Sequence, residues 1–279
     1  MLARDCEKSL GPLFCKLESL YRQFAAVRIF IVENNSQDNT KRIIEEYSRR
    51  NPDVRACCFN DGALCKLDRI DRMVILRNKC LSMVKEECKF KPDYLLILDA
   101  DVNCKLSNLA LIIEQAPPDW VMLAANGNFY FNLMGIKIPL FYYDLYAYVP
   151  EESRSCMLTK GQLFDSRFSL HKKLRGNRYV KCRSAFGGMA IYDYSAVEGH
   201  SYTLVPHEYT FDFKYMCEHV PFTLSLAGEG CCYICRKMKT LYEPVSMVTV
   251  LPVIKRHFLN WYLRREANRI LRQRRRKNK

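Results

Sequence analysis

The chain has 279 residues, 49% of them apolar and 27% charged, with 11 Gly and 11 Pro. That composition excludes a disordered or collagen-like polymer and allows one large or two small globular domains. Net charge is +14, but residues 255–279 hold 11 Lys or Arg against the single Glu266, leaving only +4 for the rest. No apolar run approaches the roughly 18 residues that cross a bilayer. Glu7, Lys8, Lys16 and Glu18 interrupt any leader-like stretch, so a soluble, cytoplasmic protein is expected.

In chain order, Val27-Arg-Ile-Phe-Ile-Val32 is β-branched and aromatic and predicts a buried strand. It runs into the polar loop Glu33-Asn-Asn-Ser-Gln-Asp-Asn-Thr40, and Thr40 is placed to cap a helix reaching Arg50. Asn51-Pro52-Asp53 stops that helix, Arg55 to Phe59 predicts a second strand, and Asp68 to Cys88 a longer helix. Tyr94-Leu-Leu-Ile-Leu98 predicts a strand buried on both faces, ending in Asp99-Ala-Asp101. A helix near Ser107–Gln115 and a strand near Trp120–Ala125 follow. This alternation predicts an α/β fold with a mostly parallel sheet flanked by helices, and ligands in such sheets bind at the strands' carboxyl ends. Both polar motifs follow strands directly and are expected at one crevice. Beyond about residue 127 the pattern loosens.

Fourteen cysteines are spread along the chain. Without an export signal they are expected as reduced thiols. Cys232-Tyr-Ile-Cys235 is a C-x-x-C without a second such pair, so zinc is not expected.

Two carboxylates two residues apart at a strand end present hard oxygen ligands to Mg²⁺ or Mn²⁺, which take their remaining ligands from water and phosphate. Asp-x-Asp alone is a weak signal. Its setting is more specific: Ile-Val-Glu-Asn-Asn-Ser-x-Asp-x-Thr over 31–40, Arg77-Asn78, Leu-Ile-Leu-Asp-Ala-Asp over 96–101, Tyr142-Tyr143-Asp144, Ser184 to Tyr192 with Gly187-Gly188, and Cys217-Glu218-His219. Together these resemble nucleotide-sugar-dependent glycosyltransferases of the GT-A fold. The likeness is greatest to fungal capsule-associated and Anp1-like mannosyltransferases and to glycan transferases of large DNA viruses of the chlorovirus type.

That resemblance implies a single GT-A domain over 1–254, with a nucleotide-sugar-binding half at about 20–125 and an acceptor-binding half at 126–254. It implies that Val32, Glu33, Asn35 and Ser36 line the nucleoside pocket and that Arg69, Arg77 and Asn78 reach the ribose or diphosphate. Asp101 would bind the metal, with Asp99 on the ribose or the metal and Ala100 between them at the donor. His257 follows the family order for a late metal ligand, with His219 the alternative. Gly187 and Gly188 would let the backbone approach the donor sugar. Glu218 is the expected base of an inverting transfer; His219 departs from the family's usual acidic pair, which leaves Asp212 and Asp144 as alternatives. Tyr142, Tyr143 and Asp144 are expected at the sugar or acceptor, or, for the tyrosines, in the core.

The implied donor is a UDP-sugar, UDP-xylose among them, with Mn²⁺ or Mg²⁺; the acceptor is a glycan or glycoprotein. Retaining transfer and GDP-mannose as donor stay open. A nucleotidyltransferase is disfavoured because no glycine occurs between Val27 and Gly62 to build a phosphate loop after the first strand. Residues 255–279, with Leu259, Leu263, Ala267, Ile270 and Leu271 among the arginines, predict a basic amphipathic helix. It is expected either to dock on its own domain or to meet an anionic membrane surface. A non-enzymatic protein acting on a polyanion through this tail is the third reading; nucleic acid is not the expected partner.

Overall fold

The computed structural model describes residues 1–88, 90–155, 160–207 and 214–245, with only the backbone of 160–165 and 168. Asp212, His257 and the tail 255–279 lie outside the described residues. In chain order the elements are β1 (Leu2–Ala3), α1 (Glu7–Leu17), β2 (Ile29–Asn34), α2 (Thr40–Arg50), β3 (Val54–Phe59), α3 (Gly62–Lys66), α4 (Arg69–Glu87) and β4 (Tyr94–Leu98). Then come β5 (Asn103–Cys104), α5 (Leu109–Glu114), β6 (Trp120–Leu133), β7 (Ile136–Tyr142), β8 (Val149–Pro150) and α6 (Lys160–Gly176). The last are β9 (Tyr179–Ser184), β10 (Met189–Asp193), α7 (Tyr194–Val197), α8 (His219–Leu224) and β11 (Cys231–Pro244).

The sheet is mixed. β1, β2 and β3 pair in parallel, and a parallel bridge from Leu2 to Asp99 ties β1 to the end of β4. From β4 onward the order is β4-β10-β6-β11-β9-β8, with β10 antiparallel to both β4 and β6 and β9 antiparallel to both β8 and β11. The four parallel strands therefore end on one edge. β1 is only two residues long, so the amino-terminal parts of β2 and β4 flank an apolar cavity of about 300 Å³ that includes Phe30, Cys80, Tyr94 and Leu96 in its wall.

Alternation along β2 explains the two layers. Ile29 and Ile31 pack with Leu10, Leu13, Phe14 and Leu17 of α1 on one face, while Phe30 and Val32 pack with Leu76, Met83 and Val84 of α4 on the other. The α1 positions recur at helical spacing, which is why this segment folds onto the sheet. Thr40 does not cap α2: Asn39 occupies the N-cap without a side-chain bond, and Thr40 Oγ1 accepts the Cys6 N–H at 2.8 Å. A buried amide at the start of α1 would otherwise be unsatisfied, and that demand wins.

The described chain divides into two compact units, Met1–Asn128 with Phe141–Tyr242, and Phe129–Leu140 with the segment from Glu243. No helix among the described residues is long and apolar enough to cross a membrane.

Candidate active site

Four strand ends deliver polar residues to one edge: Asp5 after β1, Glu33 to Asp38 at and beyond the end of β2, Asp61 after β3, and Asp99 to Asp101 after β4. The loop after β2 is built by backbone capture. Glu33 Oε1 accepts the Ser36 N–H at 2.7 Å, Ser36 Oγ accepts the Asp5 N–H at 3.1 Å, and Asp5 Oδ1 accepts the Gln37 N–H at 2.7 Å. Asp5 and Asn35 sit at φ 47° and 50°, left-handed values that Asp and Asn tolerate better than most residues. Glu33 Oε2 and both amide atoms of Asn34 are buried without a partner. Buried polar atoms are nearly always bonded, and because Glu33 and Asn34 point to opposite faces of β2, Glu33 Oε2, on the side of the Ser36 loop, is the orphan open to a polar ligand at this edge.

Arg77 is the electrostatic hub. Only 4% of the residue is exposed, beneath the strand ends. Nε donates to Glu218 Oε1 at 2.8 Å and Nη2 to Asp99 Oδ1 at 3.1 Å. Its guanidinium lies 5.2 Å from the Phe186 ring centroid and 5.8 Å from that of Tyr202. Burial alone would raise the Glu218 pKa, but the Arg77 charge, followed by His219, brings it down to about 2. Asp99 goes the other way: burial raises it, and Arg77 offsets only part because Glu218 repels it. The two carboxylates compete for one guanidinium. Glu218 holds the shorter bond, and Asp99 is left short of positive charge.

A glycine cradle lies alongside. Gly187 and Gly188 adopt φ 64° and 78°. A Cβ on Gly188 would meet Tyr143 Oη at 2.6 Å and Val102 Cγ1 at 2.8 Å, and one on Gly127 would meet the Gly187 carbonyl at 2.6 Å. The turn is pinned by the Asp99 N–H donating to Gly188 O at 3.1 Å, by Thr240 Oγ1 donating to Gly187 O, and by Asp144 Oδ2 accepting the Gly187 N–H at 2.8 Å. Burial pushes the Asp144 carboxyl up to about 6 against that hydrogen bond.

Glu33, Ser36, Arg77, Asp99, Asp101, Gly187, Gly188 and Glu218 are thus placed on, or linked by hydrogen bonds to, the strand-end edge. Arg69 is exposed at the start of α4, and its charge acts on Asp99. Other expected contacts are used by the fold itself. Val32 is wholly buried in the core. Asn78 Nδ2 donates to the Tyr202 carbonyl at 2.9 Å and its Oδ1 accepts the Tyr202 N–H at 2.8 Å, holding that ring in place. Asn35 Nδ2 donates to the Asp61 carbonyl at 2.7 Å. The Ala100 N–H donates to the Leu2 carbonyl at 3.3 Å, and its side chain is buried. Tyr142 is a core residue, and His219 is buried against Phe186 at 3.7 Å between ring centroids.

Sequence reading missed Asp5, Asn34, Gly127 and Thr240. Alternation beyond Val32 would have set Glu33 and Asn34 on opposite faces of β2; the other three are placed by tertiary contacts with no local signature.

For a metal, no cluster of three His, Cys, Asp or Glu able to hold an ion occurs among the described residues. Two strand-end carboxylates, one of them short of positive charge, suit Mg²⁺ or Mn²⁺, which keep several waters and substrate oxygens as ligands. They do not suit the closed four-ligand site of structural zinc.

Residues 16–199 match the family described as glycosyl transferase family 2. No curated protein sequence matches the chain. Among solved structures, it is similar to S. aureus TarS in complex with UDP-GlcNAc (TM-score 0.47, 13% identity, 88% of this chain and 57% of that one). It is also similar to GalNAc-T7 with UDP, GalNAc and Mn²⁺ (0.48, 12%, 87% and 42%). A third is the mannosyltransferase PcManGT from Pyrobaculum calidifontis in complex with GDP-Man and Mn²⁺ (0.47, 12%, 86% and 54%). The chain spans less than three fifths of the length of each of these three.

Proposed function

This chain belongs to glycosyl transferase family 2, and on that premise we propose that it transfers a sugar from a nucleoside diphosphate sugar to a hydroxyl of a glycan or glycoprotein. The observation that carries this reading is the pairing, on one sheet edge, of the orphaned buried carboxylate oxygen of Glu33 with the under-compensated Asp99. The first suits the base and ribose of a nucleoside; the second suits a cation carrying a diphosphate.

Asp101 and Asp99 would hold Mn²⁺ or Mg²⁺, and the ion when bound supplies Lewis-acid stabilisation of the departing diphosphate. Glu33 offers a carboxylate oxygen to the nucleoside. Arg69 adds cationic charge on the solvent side of Asp99. Gly187 and Gly188 stand on the donor-sugar side by the family order, their α-carbons packed against Ala125, Tyr143 and Val102. In an inverting transfer the acceptor oxygen bonds to the anomeric carbon as that carbon's bond to the diphosphate breaks, and a carboxylate takes the acceptor's proton. UDP is the first nucleotide to test and GDP the second; His257 as a further metal ligand stands as an expectation from the family order.

Glu218 is the first reading for the base, in keeping with its place in the family order. A second reading has a specific observation behind it: Asp144 sits against the Gly187 turn with its carboxyl near 6, whereas Glu218 is fixed by Arg77 and held at about 2. A general base works best with a pKa near the operating pH. Product stereochemistry and transfer rates of Glu218→Gln and Asp144→Asn decide the matter. Loss in one variant with an inverted product names the base; full activity in both variants with a retained anomer replaces inversion by retention.

A further inference from the structure

The second compact unit carries an exposed apolar surface. β6 and β7 form a hairpin whose connection is the two residues Met134 and Gly135, at φ 50° and 89°. Two successive left-handed residues are the hallmark of the tight hairpin turn that favours Asn-Gly or Asp-Gly. Here the first of them is Met134, 97% exposed. An apolar residue therefore occupies a backbone conformation it disfavours, at the most solvated point of the strand pair, where Asn would be both more soluble and less strained.

The apolar character does not stop at the tip. A two-residue connection sets Leu133 opposite Ile136 and, one step down the same face, Phe131 opposite Ile138. Leu133, Ile136 and Ile138 are 48%, 67% and 38% exposed. The other face is polar, with Asn132 Oδ1 accepting the Gly135 N–H at 3.0 Å and Lys137 Nζ 5.0 Å from the Tyr130 ring centroid. The Val245 N–H donates to the Tyr130 carbonyl at 2.8 Å, so the chain leaves the described residues from this hairpin. Lys255, the first of the 11 basic residues of 255–279, follows ten residues later. At about 3.3–3.6 Å per residue the tether confines it to within roughly 35 Å of the strand pair.

From this juxtaposition we propose that the Phe131–Ile138 hairpin inserts its apolar face and Met134 tip into an anionic phospholipid surface, to which the adjacent basic tail supplies the electrostatic attraction. Neither part is sufficient alone. A few exposed apolar side chains give weak, reversible insertion, and a polybasic segment gives salt-sensitive adsorption; together they form the two-signal arrangement that holds a protein at a bilayer. A second copy stacking hairpin on hairpin would bury the same face, but the +10 charge of 255–279 is complementary to an anionic surface and repels itself.

The test is co-sedimentation of the full chain with vesicles of phosphatidylcholine containing no phosphatidylserine or about a third of it, at low and high salt, together with Met134→Asn and the pair Leu133→Asn/Ile136→Thr. Binding is expected only to the anionic vesicles. The paired variant should weaken it by at least about tenfold, on the scale of apolar area withdrawn from the lipid. Met134→Asn should weaken it too while raising thermal stability, because Asn suits the turn. Met134→Trp should shift its emission to the blue on the vesicles and be quenched by brominated lipid. Binding that is unchanged in the tip variants, no blue shift, no difference between neutral and anionic vesicles, or a hairpin-dependent dimer without vesicle binding would each overturn the proposal.

Discussion

Arg77→Met removes the guanidinium from between two carboxylates while keeping most of the side chain's apolar volume. In the native protein the Glu218 carboxyl stands at about 2 against an ordinary 4.5, a gap of about 2.5 units, worth about 3 kcal/mol of stability at neutral pH. The bond to Asp99 at 3.1 Å adds a smaller amount because 27% of that side chain is exposed. Removing one partner of a buried ion pair costs about 3–5 kcal/mol, so the two routes to the magnitude agree. The assay is urea denaturation of wild type and variant from pH 7 down to pH 3. A depressed carboxyl stabilises the fold above its unfolded pKa and loses that contribution as pH falls toward its folded value. The stability that Glu218 contributes to the wild type should therefore be full at pH 7 and decline as pH falls from about 4.5 toward 2. Because burial raises the Glu218 carboxyl once Arg77 is gone, the gap to the variant should begin to close above pH 4.5. Adding Glu218→Gln to Arg77→Met should restore part of the loss, since the uncompensated charge is then gone. A difference below about 1 kcal/mol at pH 7, or one that widens on acidification, would refute the account of Arg77 as the hub.

The remaining predictions concern the site. If Asp144 is the base, kcat/KM falls about tenfold per unit below pH 6, because the carboxyl must be ionised to accept the proton; if Glu218 is the base, the acid limb is absent down to the onset of unfolding. Gly188→Ala places a methyl 2.6 Å from Tyr143 Oη at φ 78°, and should cost about 2–4 kcal/mol by thermal or urea unfolding. Gly62→Ala, which meets open space, should stay within about 0.5 kcal/mol. Glu33→Gln keeps an oxygen for the Ser36 N–H but replaces the orphaned carboxylate oxygen, and should weaken nucleotide binding about tenfold by calorimetry with stability nearly unchanged.

How far the sequence speaks depends on whether a signal is local. Tyr94–Leu98 reads as a strand with both its ends correct, because five apolar residues between Pro92-Asp93 and Asp99 allow little else. It is not buried on both faces, however: Tyr94 is exposed, and Leu95 and Leu96 are half-buried beside the cavity. The Thr40–Arg50 helix is equally legible, although its supposed capping hydroxyl serves Cys6 instead. Periodicity revealed Asp99 and Asp101 at a strand end, but not that Arg77 would be wedged between Asp99 and Glu218. Those partners are 22 and 141 residues away from it, and only tertiary packing sets which carboxylate receives the shorter bond. Gly127 is illegible for the same reason: its need for a missing side chain comes from Gly187 and Tyr143, not from a local turn. The antiparallel half of the sheet, where β6 runs on past Ala125 to Leu133, lacks the regular strand–helix alternation that made the first half readable.

The central claim is a metal-dependent nucleotide-sugar site on the edge shared by Glu33 and Asp101. Its most direct test is calorimetric titration of the full chain with UDP, GDP and their sugar conjugates, with and without MnCl₂, beside Asp101→Asn. The account predicts saturable binding of one nucleotide that requires the metal and is lost in the variant while the fold is retained. Binding that ignores both metal and substitution, or no nucleotide binding under any of these conditions, would contradict it.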